Sequence, residues 1–292
     1  MPAAPTLSIG MPVYNGAKWI EESIGYLLNQ SFSDFELIIA DNASTDETGT
    51  ICRRIAERDA RVRYHRHSSN IGAFRNYDYV FQRSTAPYFK WASCNDICLD
   101  GFLEKCLVVL RARPDVVLVY PRAILIFAPK GEEPYGEEYD DNLNLEGDRP
   151  SDRFRDYLNR EKINNVMNGV IRASSLRETA LNRPLPGSDI SMVAELALRG
   201  KFVEIPDRLF VRRLTPDTTI LLMEQPATSH GYLGRPDNLQ RLKLHSYRFL
   251  DAWRAPISFA EKLRVWRYLL RRVAWLRHRA MRKAFKLVTG RR

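Results

Sequence analysis

Short apolar runs and helix-period stripes take turns along residues 7–120. Residues 7–13, Leu-Ser-Ile-Gly-Met-Pro-Val, read as a buried strand. In 17–30, Ile20, Ile24, Leu27 and Leu28 recur at i, i+4, i+7 and i+8, the stripe of a helix that buries one face. Further strands are predicted at 35–40, 62–65, 88–92 and 116–120, and helices at 51–58, 74–82 and 102–111. The helix at 51–58 is opened by the start signal Ser44-Thr45-Asp46-Glu47. Such βα alternation predicts a mostly parallel sheet flanked by helices, with ligands bound outside the carboxyl ends of the strands.

The regularity then breaks. Residues 130–148 carry eight acids among scattered Gly, Pro and Asn, which predicts a surface loop, either a solvated excursion or a lid facing an acceptor. Order returns with residues 168–172, followed by helices at 174–181 and 190–199 and strands at 202–205 and 208–213. Residues 223–238, polar with Pro226, Gly231, Gly234 and Pro236, read as a linker, and helices are expected beyond it at 239–250 and 258–287. In the last helix Leu263, Trp266, Leu270 and Val273 form an apolar stripe, extended by Trp275, Leu276 and Phe285, with Arg264, Arg267, Arg271 and Arg272 on the remaining surface. That pattern suits the interface of an anionic bilayer, or else a stripe docked on the protein's own body.

Charge sharpens this division. The 292 residues hold 45 Lys+Arg against 35 Asp+Glu, yet 12 of the basic residues and no acid lie in 262–292, so that 1–261 carries 33 against 35. A basic globular face for nucleic acid is therefore not implied, and no nucleic-acid partner is expected; a basic appendage is. With 45% hydrophobic and 27% charged residues, collagen-like, disordered and mini-protein classes are excluded. No run approaches the roughly 18 apolar residues of a membrane span, and the first six residues lack the charged start of a signal peptide. A cytoplasmic location is expected, with the tail as a means of peripheral attachment to the inner face of the cell membrane. Cys52, Cys94, Cys98 and Cys106 lack paired C-x-x-C spacing and read as reduced thiols.

No Gly-x-Gly-x-x-Gly and no phosphate-loop Lys accompanies the βα units, so a dinucleotide or triphosphate site is not indicated. The first strand runs instead into Met11-Pro-Val-Tyr-Asn-Gly16 and the second into Ala40-Asp-Asn-Ala-Ser-Thr-Asp46. An aromatic ring on one strand end, beside carboxylate and amide groups on the next, can stack a base and hydrogen-bond its edge. Asp46 itself reads as part of a helix cap.

Taken in order, Pro12-Val-Tyr-Asn15, then Gln30-Ser-Phe-Ser-Asp-Phe-Glu-Leu-Ile-Ile-Ala-Asp-Asn-Ala-Ser-Thr-Asp46, then Asn70-Ile-Gly-Ala-Phe-Arg-Asn76 resemble family 2 glycosyltransferases of the GT-A fold, over about residues 6–213. The resemblance implies a single Rossmann-like α/β domain over 1–222, with a nucleotide-binding half (1–121) and an acceptor and base half (122–222), followed by a helical basic extension over 223–292. It implies a nucleoside-diphosphate sugar donor, a UDP-sugar being favoured, a hydroxyl-bearing glycan, lipid-linked or small-molecule acceptor, Mg²⁺ or Mn²⁺, and transfer with inversion. Position by position, it puts Pro12, Val13, Tyr14, Asn15, Asp41, Asn42, Arg75, Asn76 and Asn95 around the nucleotide sugar, Asp96 on the metal and Asp189, in Gly187-Ser-Asp-Ile-Ser-Met-Val-Ala-Glu195, as the general base.

The sequence departs from the family pattern in three places. Asn42 stands where such enzymes commonly read uracil with Asp, and Asn95 replaces the first residue of the usual Asp-Asp pair in Ser93-Cys-Asn-Asp-Ile97. Thr215, in Val211-Arg-Arg-Leu-Thr-Pro216, stands where close relatives carry His. Asn95 and Thr215 support one alternative, a catalytically degenerate nucleotide-sugar binder. A sugar nucleotidyltransferase would need a Gly-rich loop with Arg and Lys after the first strand, which residues 11–16 lack.

Overall fold

The computed structural model describes residues 4–127, 133–214 and 238–289, with backbone alone for 238 and 275–289. The expected alternation is realised as β1 (Leu7–Val13), α1 (Ile20–Leu28), β2 (Phe35–Asp41), α2 (Thr48–Arg58), β3 (Val62–Arg66), α3 (Ala73–Gln82) and β4 (Tyr88–Trp91). β1 pairs in parallel with β2 and β4, and β2 pairs in parallel with β3. Every residue of β1 and β2 is buried, which is why both read as continuous runs and not as alternating ones.

The chain continues through β5 (Ile97–Cys98), α4 (Phe102–Ala112), β6 (Val116–Phe127), β7 (Tyr135–Tyr139), α5 (Pro150–Arg160), a 3-10 turn (Asn165–Asn168), β8 (Val170–Arg172), α6 (Ala173–Arg177), α7 (Ser188–Arg199), β9 (Lys201–Leu214), α8 (Asn238–Arg254) and α9 (Phe259–Thr289). Among the described residues one sheet has the order β3-β2-β1-β4-β8-β6-β9-β5, with β7 alongside β6. β8 runs antiparallel to β4 and β6, while β6 and β9 are parallel. Helices α1, α2 and α4 cover one face through Ile20, Ile24, Cys52, Phe102 and Leu107. The other face lies under α3 and α5–α9, packed through Val80, Phe154, Tyr157, Leu196 and Val265. All four cysteines are free thiols.

Several expectations are corrected. Residues 130–148 are not wholly loop: β6 runs on to Phe127 and its prolonged edge recruits β7, with Ala123 opposite Tyr139 and Phe127 opposite Tyr135. Because β7 is mostly exposed, no apolar alternation betrayed it. Helix α5 was not expected at all; Pro150 occupies its first turn, where a missing N–H costs nothing, and Phe154, Tyr157 and Leu158 are its buried face. The strands expected at 202–205 and 208–213 are the single β9, in which Pro206 and Asp207 are passed over where the register with Pro121 and Arg122 shifts. The helix expected at 174–181 ends at Arg177. Thr215 and residues 223–237 of the expected linker lie outside the described residues.

The stripe expected on the last helix is split: Trp266 packs against the body while Leu263 and Leu270 are exposed. On α9 Val265 and Leu269 are fully buried. Glu261 accepts the Ser151 N–H at 2.8 Å, the Tyr268 hydroxyl donates to Asn159 Oδ1 at 2.7 Å and Arg272 donates to the Leu158 carbonyl at 3.1 Å. Among the described residues no helix is long and apolar enough to cross a membrane.

Candidate functional site

The carboxyl ends of β1 and β2 open into a cleft lined by Pro12, Val13, Tyr14, Asn42, Asn70, Ala73, Asn76 and Tyr77. Tyr14 is 37% exposed, so its ring is open to a ligand. The floor is held by amides. Asn42 donates Nδ2–H to Asn70 Oδ1 and accepts the Ile71 N–H on Oδ1, both at 2.8 Å. Asn76 donates to the Ala40 carbonyl at 2.9 Å and meets His67 Nε2 through its oxygen at 3.0 Å. An amide has two N–H donors and an oxygen with two lone pairs, so Asn42 keeps one donor and one acceptor site for a ligand.

Other motif residues brace the cleft instead of lining it. Asn15, at a left-handed φ of 52° that Asn tolerates better than most residues, accepts the Thr45 N–H at 2.8 Å, and its own N–H goes to Ser44 Oγ at 2.9 Å. Gly16 N–H donates to Thr48 Oγ1 and Ala17 N–H to Asp46 Oδ2. These bonds lash the turn after β1 to the turn after β2. Asp41 is fully buried and accepts from the Ser44 N–H, the Tyr64 hydroxyl and Arg66, at 2.7–2.8 Å. Burial alone would push its carboxyl up, but these donors outweigh it and hold Asp41 below the usual carboxylate range. Arg75 is exposed on the first turn of α3, outside the lining set, and makes no hydrogen bond or ion pair among the described residues.

Asp96 lies between β4 and β5, 8% exposed. Its Oδ1 accepts the Arg213 N–H at 3.0 Å. Burial raises its carboxyl above the usual range, against the lowering effect of Arg212, the Arg213 N–H, Lys90 and Arg213. Asn95 Oδ1 is taken by the Ser93 hydroxyl, and the Asn95 carbonyl accepts from Arg213 at 2.8 Å. Among the described residues no group of three or more His, Cys, Asp or Glu is arranged to hold a metal ion. What the site offers a cation is the second oxygen of Asp96, which fits an ion shared with ligand oxygens and water and not a cage built by protein alone.

Asp189 is in the first turn of α7, after Gly187 at a left-handed φ of 80°. It is partly buried, and its Oδ2 accepts from Asn164 Nδ2 at 2.8 Å. Asn164 Oδ1 in turn accepts from the Tyr157 hydroxyl at 2.6 Å. Burial pushes the Asp189 carboxyl up, opposed first by the Asn164 bond, then by N–H groups of its own helix turn and by Arg212. Glu195, two turns on, is committed elsewhere: it pairs with Arg199 at 3.1 Å and accepts the Ala180 N–H at 3.0 Å.

Arg212 ties the halves together. It donates to the Ile163 carbonyl and to Asn165 Oδ1, both at 2.6 Å, and its charge lowers both the Asp96 and Asp189 carboxyls. Both carboxylates act in turn on the Tyr77 hydroxyl at the cleft. The structure thus gathers Pro12, Val13, Tyr14, Asn42, Asn76, Asp96 and Asp189 into one region and adds Asn70, Tyr77, Tyr157, Asn164 and Arg212. Of these, Arg212 lay in a motif already noticed, while Asn164 and Tyr157 carried no local signal.

A βα-built nucleotide-type cleft beside two carboxylates agrees with the comparisons with known proteins. The model of the family described as "Glycosyl transferase family 2" matches residues 8–181. The chain belongs to that family. Similar proteins include an uncharacterized glycosyltransferase of Haemophilus influenzae, 32% identical over 103 residues (35% of this chain, 41% of the relative), and the glycosyltransferase GlyG of Streptococcus pneumoniae, 28% identical over 98 residues (34% and 33%). The chain therefore spans well under half the length of these relatives. Staphylococcus aureus TarS 1-349, solved in complex with UDP-GlcNAc, superposes with a TM-score of 0.62 at 13% identity, covering 90% of this chain and 71% of TarS. The mannosyltransferase PcManGT of Pyrobaculum calidifontis, solved with GDP-Man and Mn²⁺, gives 0.56 at 15% identity, covering 99% and 82%. These likenesses establish the GT-A fold expected from the sequence.

Proposed function

We propose that this glycosyltransferase moves a sugar from a nucleoside-diphosphate donor to an acceptor hydroxyl with inversion, Asp189 acting as general base. The donor's base stacks on Tyr14 in the cleft and its edge meets the remaining donor and acceptor of Asn42. The diphosphate extends toward Asp96, with Arg75 as a cation on its outer side. A divalent ion bound by Asp96 and the diphosphate would neutralise charge growing on the leaving group. An oxygen of Asp189 takes the acceptor's proton as that hydroxyl attacks C1. The bond from C1 to the diphosphate oxygen breaks on the opposite face, its electron pair leaving with the nucleoside diphosphate. Asn164 orients the carboxylate and favours its charged form.

One observation supports this reading above others: Asp96 and Asp189, more than 90 residues apart, share the field of Arg212, and the charge of each is felt by Tyr77, which lines the cleft. Titration calorimetry with UDP and GDP, with and without Mn²⁺, tests the donor half. Binding of one of them, weakened at least tenfold by Tyr14→Ala, is expected; equal affinity of parent and variant would displace the base from this cleft. The binding-only alternative is favoured by Asn95, whose side-chain oxygen is already occupied, and it predicts nucleotide binding with no turnover for any acceptor.

A further inference from the structure

Helices α8 and α9 are fastened to the body by one side only. On α8, Arg248 donates to Ser191 Oγ of α7 at 3.0 Å, Asp251 pairs with Arg183, and Leu244 and Ala252 are buried. On α9, Val265 and Leu269 fill the same role. The opposite side is apolar and open. Leu239, Leu242, Leu250 and Trp253 of α8 and Phe259, Leu263 and Leu270 of α9 are each 47–63% exposed. The other exposed large apolar residues among those described, Tyr14, Tyr26, Val108 and Tyr135, are scattered.

The seven belong to one surface. Trp266 lies between Leu263 and Leu270 on α9, at i+3 and i−4, and it stacks on Trp253 at 5.5 Å and meets Phe249 edge-on at 6.1 Å. This aromatic seam joins the two outer faces. Lys262 sits over the Trp253 ring at 5.2 Å, and Lys243, Arg254, Arg267 and Arg271 are exposed beside the apolar positions. The only acids in 238–292 are Asp251 and Glu261, both buried and both bonded inward. Residues 275–292 continue with Arg277, Arg279, Arg282, Lys283, Lys286, Arg291 and Arg292 and no acid.

We infer that this two-helix face seats on an anionic phospholipid bilayer, its Leu, Phe and Trp side chains entering the headgroup boundary and its Lys and Arg side chains pairing with lipid phosphates. Charge complementarity decides the occupant: an apolar face rimmed by uncompensated cations, with no carboxylate, repels a second copy of itself and suits a negative surface. Because α8 is bonded to α7, this seat holds the base-bearing helix one layer from the lipid. The inference is independent of the role given to Asp189.

Flotation of the whole chain with phosphatidylcholine vesicles, with and without 30% phosphatidylglycerol, tests it. Binding to anionic vesicles only, falling at least tenfold in 0.5 M salt, is expected. The combined Phe259→Ser, Leu263→Ser and Leu270→Ser variant should lose that binding at least tenfold while its melting curve and nucleotide affinity stay close to the parent's, because these side chains are largely exposed and lie outside the buried core. Arg267→Glu with Arg271→Glu should lose it likewise. Absence of binding to anionic vesicles, equal binding to neutral ones, or a parent dimer in sedimentation that these variants dissolve would each overturn the inference.

Discussion

Asp189 and Asn164 define the smallest scale on which function can be tested. Asp189→Asn keeps the size of the side chain and an oxygen to accept from Asn164 but cannot take a proton, so nucleotide affinity should survive while turnover falls by roughly 10²–10⁴-fold. Asn164 requires more care. Its φ of 52° makes Asn164→Gly the variant that spares the backbone. That change removes an N–H that stabilises the charged carboxylate, so the Asp189 pKa should rise and the acid limb of the kcat/KM profile should move to higher pH. An unshifted limb with a uniformly lowered rate would make Asn164 structural only. The neighbouring departure is open to the same comparison. Asp96→Ala should abolish any metal dependence of donor binding, whereas Asn95→Asp should preserve or strengthen it, read by calorimetry with and without Mn²⁺. Full turnover of the parent in chelator would remove Asp96 from that role.

Between elements, the decisive contacts are those that let two turns approach each other. A Cβ on Gly16 would lie 2.7 Å from Val13 Cγ2 and 2.9 Å from Cys94 Sγ, so a glycine there allows the turn after β1 to close on the segment that carries Asn95 and Asp96. Ser23 of α1 donates to the Cys94 carbonyl at 2.9 Å and holds the same segment from the other side. Gly16→Ala should cost about 1–3 kcal/mol through overpacking and weaken nucleotide binding by shifting the Asp96 segment. Gly25, inside α1 with nothing within 4 Å of its missing Cβ, is the internal control. There, Ala should add about 0.5–1 kcal/mol of helix stability. Thermal melts of both variants check the contrast; two equal shifts would show that Gly16 has no special place in the packing.

At the scale of the molecule, buried acids give stability a pH dependence. Asp141 is 5% exposed, neither oxygen has a hydrogen-bond partner within ordinary distance among the described residues, and burial, opposed by the nearby Asn165 amide, pushes its carboxyl up to about 7. Above its unfolded pKa of about 3.9 the unfolded chain releases this proton while the folded one keeps it. The stability present below that value is therefore lost as pH rises toward 7. Asp141→Asn should flatten this slope and leave the variant more stable than the parent at pH 8, by roughly 1–3 kcal/mol. Urea unfolding at pH 5 and pH 8 measures it. A parent equal to the variant at pH 8 would mean that Asp141 is solvated or paired in solution.

What the sequence determined by itself is what depends on neighbours along the chain. The all-buried runs at β1 and β2, the 3.6-residue stripe of α1 and the polar ends Tyr14-Asn15 and Asn42 are set by local period and local polarity. They sufficed for the alternation and the cleft, while the fold family came from the resemblance of the ordered motifs at 12–15, 30–46 and 70–76. Tertiary structure decided what depends on partners far away. Arg212 becomes the link between Asp96 and Asp189 only when β9 is laid parallel to β6. Asn164 becomes the support of Asp189 only when α5 and α7 pack. Exposed β7 had no apolar period to read, because an edge strand in water buries too little to need one. On α9 apolar residues occupy two faces, Val265 with Leu269 and Leu263 with Leu270. Periodicity records that both are apolar; which one the body covers is set by the shape of α5 and α8, since only a complementary surface excludes the water that drives burial.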